Sequence, residues 1–271
     1  MAAFDILAAH VHRDGRVVTF HMTTAGAAGT VTPDPLGDLA GAPIHSYVWP
    51  TSLDPATVGF ETGSGILALA ATSHPDFDDT PLFDENRDGD PANDGADWHS
   101  HWVVLTADEG CPEGALGVRN IPDGATPRLP ATWPGLPLYI DSPGYSPLFD
   151  GPEISVSVPL AATAAPAGTA YDGVTAALRV HASVHAPLLC VEDVFDVASG
   201  DLSLPLGGCS SPSPRGRKHG RRADAACRGI SGQAQRKTDK RKRHPTNLPG
   251  AAIIGSFGRT TDEANAPPAQ P

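Results

Sequence analysis

The sequence predicts an all-β domain, a two-sheet β-sandwich or a related barrel with long Pro/Gly/Asp-rich loops, followed by a disordered basic C-terminal tail. Three observations carry that expectation. Apolar residues show almost no helical period, and short β-branched and aromatic runs recur between turn residues. The chain has 28 prolines and 29 glycines, which suits surface loops and leaves no place for the crossover helices of a doubly wound α/β fold. Its charge is also divided. Residues 1–209 hold 6 arginines, no lysine and 27 carboxylates, a net −21, whereas residues 210–271 hold 13 basic and 4 acidic residues, a net +9.

The break at 207–212 therefore separates an acidic β-domain, 1–209, from a tail, 210–271. The domain is long enough for a sizeable core. The tail has few large apolar residues to offset chain entropy, which is why it is expected to be disordered. Its clusters, such as Lys240-Arg241-Lys242-Arg243, suit nucleic acid if the tail is genuine, although no aromatic stacking residue accompanies them. A frameshifted or mis-called C-terminus would produce the same abrupt change.

Strands are expected at 6–12, 16–23, 45–49, 57–61, 66–72, 98–106, 116–120, 138–140, 154–159, 174–184, 188–197 and 202–204. The first two join at Asp14-Gly15, a two-residue hairpin signal. That turn sets Arg13 opposite Arg16, His12 opposite Val17, His10 opposite Thr19 and Ala8 opposite His21. Ala9, Val11, Val18 and Phe20 then face the core. His10, His12, Val17, Thr19 and His21 share the other face, which suits either a solvated polar surface or a three-imidazole metal site. The same alternation puts Arg179, His181, Ser183 and His185 on a polar outer face.

The segment 74–102 carries the chemistry. Between Asp76 and Asp97 it places nine acidic residues (Asp76, Asp78, Asp79, Asp84, Glu85, Asp88, Asp90, Asp94 and Asp97) against one base, Arg87. Carboxylates so dense repel one another unless water or a cation neutralises them. Asp84, Asn86, Asp88, Gly89 and Asp90 match the opening D-x-N-x-D-G of a calcium loop, in which alternate side-chain oxygens surround one point and the glycine permits the turn. The bidentate Glu of an EF-hand is replaced by Gly95, so Asp94 or Asp97 would have to close the cage.

His99 and His101 form the second element. On a strand they share one face, while Trp98, Ser100 and Trp102 take the other. If the strand at 66–72 pairs with that at 98–106, the connection returns His74, with Asp76, Asp78 or Asp79, to the neighbourhood of His99. Imidazoles and carboxylates together suit Zn²⁺, Mn²⁺ or Fe²⁺. The His-x-His pair resembles part of the cupin signature, but Leu105 and Thr106 stand where its acid is due, and the first acid afterwards is Asp108. That family is not carried over.

Cysteine spacings of 79, 19 and 18 residues match no zinc pattern, and Cys190 in its apolar run is expected as a buried thiol. No leader pattern opens the chain and no apolar run spans a membrane, so a cytoplasmic location is expected. Neither a G-x-S-x-G elbow nor a Gly-rich phosphate loop is present. The leading expectation is thus a non-catalytic β-sandwich module binding Ca²⁺ or a divalent transition metal. The alternative is a metal-dependent enzyme using His74, His99, His101 and a nearby aspartate, and the third is an acidic soluble domain without metal.

Overall fold

The computed structural model describes residues 1–34, 40–74, 89–90, 97–160, 168–181 and 188–209. The basic tail lies outside them. The strands are β1 (Ile6–Asp14), β2 (Val17–Thr24), β3 (Pro43–Pro50), β4 (Ile66–Ser73), β5 (His99–Ala107), β6 (Leu116–Val118) and β7 (Ile140–Asp141). They continue with β8 (Leu148–Asp150), β9 (Glu153–Pro159), β10 (Ala170–Tyr171), β11 (Val174–Val180), β12 (Leu189–Val197), β13 (Leu204–Pro205) and β14 (Gly207–Cys209). The described residues contain no α-helix, as the missing helical period requires.

Strands β4, β3, β11, β12, β6 and β5 pair edge to edge, and β5 pairs back onto β4. This closes a six-stranded antiparallel barrel, with β7 added along β5. A five-stranded sheet, ordered β14-β1-β2-β9-β8, packs against its outside. The fold is thus a barrel and a sheet sharing one layer, and closure leaves the barrel few bare edges.

Two cores follow from strict alternation along the shared strands. Tyr47, Trp49, Leu67, Leu69, Trp102 and Val104 point outward and meet Val11, Val18, Phe20, Met22, Ile154 and Val156 of the sheet. Phe20 sits edge-on to Trp102 at 5.8 Å and to Trp49 at 6.1 Å. Ile44, Val48, Ala68, Ala70, Val103 and Leu105 point inward and form the second core, inside the barrel. Residues on β12 fall out of step with β11 between Thr175 and Ala176 and between Ala177 and Leu178. Bulges of this kind bend a strand, which helps the ring to close.

The first hairpin corrects the expected register. Asp14 faces Val17, His12 faces Thr19 and His10 faces His21. The two-residue turn is Gly15-Arg16, because Gly15, with φ of +60°, takes the first central position that a II′ turn reserves for glycine. The shift moves each partner by two residues, so the core face survives and the three histidines stay on the other face. The expected strand at 57–61 is replaced by a 3₁₀ turn, Pro55–Thr57. Asp54 caps it by accepting from the Ala56 amide at 2.8 Å, and Pro55 supplies a preset φ at the first turn position. Strand β11 stops at Val180, and His181 is followed by residues outside those described, His185 among them.

Cys190 is not a free thiol: it is bonded to Cys111 across a sequence separation of 79 residues. Strand β6 pairs with both β5 and β12, and Cys190 lies opposite Gly117, so the β5–β6 connection carrying Cys111 reaches it. Such a bridge removes loop-closure entropy from the unfolded chain, about 4 kcal/mol for a loop of this length. The paired change Cys111→Ser and Cys190→Ser should therefore lower the urea midpoint substantially. An unchanged midpoint would contradict the bridge.

Candidate metal centre

His99 and His101 point into the barrel because β5 alternates and its outer face is fixed. Trp98 donates from its ring to the Gly29 carbonyl at 2.9 Å and packs against Tyr47 and Phe149. Ser100 donates to the Tyr145 carbonyl, and Trp102 is buried against Phe20. With those three anchored outward, the intervening imidazoles have only the inside to occupy. On β4, Thr72 lies opposite His99 and Ala70 opposite His101, small neighbours that leave room for the rings. His74, one residue past the end of β4, repeats the inward phase of Ala70 and Thr72.

The three rings meet. His74 Nε2 lies 2.9 Å from His99 Nε2, and one donor atom from each of His74, His99 and His101 lies within 4.8 Å of the others. Ring centroids are 4.6 Å apart for His74 and His99 and 4.7 Å for His99 and His101. All three residues are at most 3% exposed. Nitrogens bound to one zinc-sized ion, at about 2.0–2.1 Å each, stand about 2.9–3.4 Å apart for bond angles of 90–109°. The observed pair fits the lower end of that range.

Outer partners orient two of the rings. His99 Nδ1 is 3.0 Å from the Asp97 carbonyl, which can only accept, so Nδ1 carries the proton and Nε2 a lone pair. His101 Nδ1 lies 3.2 Å from Ser142 Oγ. The carbonyl fixes for His99 the tautomer that a metal-binding imidazole needs, while the Ser142 hydroxyl, able to donate or accept, orients the His101 ring. Ser142 is fully buried, placed by its amide bond to the Thr132 carbonyl at 3.0 Å, and Thr132 also donates to the Asp141 carboxylate at 2.5 Å. Sequence reasoning missed Ser142 and Asp141; their only local signal was a polar pair closing the expected strand at 138–140.

The expected carboxylate ligands fare differently. Asp97 is exposed and meets His99 through its backbone. Asp90 is exposed too, beside Gly89, whose φ of +99° is the kind of backbone a calcium-loop glycine adopts. Asp76, Asp78, Asp79, Asp84, Asn86, Asp88 and Asp94 lie outside the described residues. A trio of imidazoles is poorly matched to Ca²⁺, which seeks six to eight oxygens. It suits a borderline transition ion.

The described residues include no second group of this kind. The His10 and His21 rings lie tilted at 4.3 Å and those of His10 and His12 stack at 6.2 Å, but their donor atoms do not converge as those of the barrel trio do. His21 instead pairs with Glu153 at 2.6 Å. Comparison with protein-family models, curated proteins and solved structures returned no match. The donor set alone therefore carries the functional reading.

His10 carries a pH dependence of its own. Burial, then the neighbouring His21 and His12, lower His10 from 6.5 to about 4, and Glu153 opposes the shift. The folded state resists a proton that the unfolded chain accepts, so this contribution is intact above pH 6.5 and falls away toward pH 4. With chelator present throughout, His10→Asn should flatten the fall of Tm across that window. Identical slopes in both proteins would contradict the assignment.

Proposed function

We propose that this protein binds one divalent transition-metal ion through the Nε2 atoms of His74, His99 and His101. The observation that supports it is the convergence of three buried donors within 4.8 Å on one wall of the barrel. Three protein ligands leave a coordination position for water or another small ligand, whereas structural zinc sites are closed by four. His74 and His101 also line the barrel's internal cavity, so that position would face enclosed space. The net −21 of residues 1–209 favours capture of a cation. The Cys111–Cys190 bridge supports folding in an oxidising compartment. The same open position would serve a metal-dependent enzyme, because an ion there would acidify bound water.

The test uses full-length protein stripped with chelator and titrated with Co²⁺. A visible d–d spectrum should saturate at one equivalent, and azide should change it by entering the open position. Zn²⁺ at a hundredfold excess over its Kd should stabilise the fold by about 2.7 kcal/mol. His99→Ala with His101→Ala, and separately His74→Gln, should remove or strongly weaken the spectrum, with circular dichroism confirming that each variant folds. Cobalt binding undiminished in both folded variants would sink the proposal.

A further inference from the structure

Among the described residues, the barrel is not filled by its own side chains. A cavity of about 190 Å³ remains inside it, walled by Val48, Ala70, Val103, Leu105 and Ala176 among others, with His74 and His101 on the same wall system. An engineered apolar cavity of about 150 Å³ stays dry and admits benzene. A void of this size in a natural core forfeits dispersion contacts along all its lining, a cost that an occupant would remove. Two small inward residues contribute to the cavity: on β3, Val48 lies opposite Ala70 and Ser46 opposite Ala176.

We infer that the barrel interior is a binding site for a small, mostly apolar molecule with one oxygen donor, whose apolar part fills the cavity and whose oxygen faces the three-histidine centre. The inference rests on the metal reading for its polar end only. The walls set the apolar body: polar groups on the lining are few, and an occupant without hydrogen-bonding groups along its length loses nothing on entry. The volume sets the size, on the order of a single substituted aromatic ring. A cationic head is disfavoured by the surroundings: it would lose its hydration inside apolar walls without an anion to meet it, and at the inner end it would face the charge of the ion. At the inner end, the coordination position left by three histidines is where a hydroxyl or carbonyl oxygen would land.

Full-length protein loaded with Co²⁺ is titrated with benzyl alcohol and toluene, following heat and the visible spectrum. Benzyl alcohol should bind at one site and shift the cobalt bands. Toluene should bind the same site and leave the bands alone. Ala176→Leu and, separately, Ala176→Met should each weaken benzyl alcohol and toluene at least tenfold while the cobalt spectrum and its response to azide persist, which also shows that the variants fold. If cobalt binds and answers azide but neither aromatic binds, or both bind equally well in the two narrowed variants, the cavity inference is overturned and the metal reading stands. Toluene binding without any cobalt spectrum would overturn the metal centre, and with it the orientation assigned here.

Discussion

The antiparallel pairing of β4 with β5, from Ile66 opposite Leu105 to Thr72 opposite His99, closes the ring and decides which side chains face inward. Ala68, Ala70 and Thr72 share the inner face with Val103, His101 and His99, while Leu67, Leu69 and Ala71 share the outer face with Val104, Trp102 and Ser100. A slip of one residue would exchange the two sets, carrying Trp102 into the barrel and the histidines into the apolar layer between barrel and sheet. Both outcomes are costly, so the packing of Trp102 and Leu69 against the five-stranded sheet is also what holds the imidazoles inside. Gly65 shows how close the strands come at the start of β4: a Cβ there would meet the Leu105 carbonyl at 2.6 Å, and its φ of +148° is one that other residues rarely adopt.

Burying three imidazoles in an apolar barrel is unfavourable unless their nitrogens are satisfied. The Asp97 carbonyl and Ser142 hydroxyl face the outer nitrogens of His99 and His101, which leaves their inner nitrogens directed toward His74. A single ion would satisfy the inner nitrogens of all three rings at once. The cost of assembling such a cluster would then be recovered on metal binding rather than in the apo fold, and the acidic exterior acts in the same direction by raising the local cation concentration.

Much of this was legible in the chain, and the rest failed for identifiable reasons. Period-two alternation at 98–106 put His99 and His101 on one face, and the proposed pairing with the strand at 66–72 brought His74 to them; both are local patterns or first-neighbour pairings. The hairpin register was missed by one turn position, since Asp14-Gly15 and Gly15-Arg16 both suit a primed glycine turn and the local signal does not choose between them. The Cys111–Cys190 bridge was invisible because it depends on β6 lying between β5 and β12, a matter of strand order. Ser142 was hidden likewise, since it reaches His101 through the non-local pairing of β7 with β5. The strand expected at 57–61 lost to the Asp54 cap and Pro55, whose local preferences outweigh a short apolar run.

The most direct test of the account is anomalous diffraction from crystals of the full-length protein grown with Zn²⁺, recorded on both sides of the zinc absorption edge. The account predicts one strong peak inside the barrel, about 2.0–2.1 Å from the Nε2 atoms of His74, His99 and His101, with a non-protein ligand completing the coordination. A zinc peak confined to other residues, with the three rings still in mutual contact and no anomalous density between them, would contradict it.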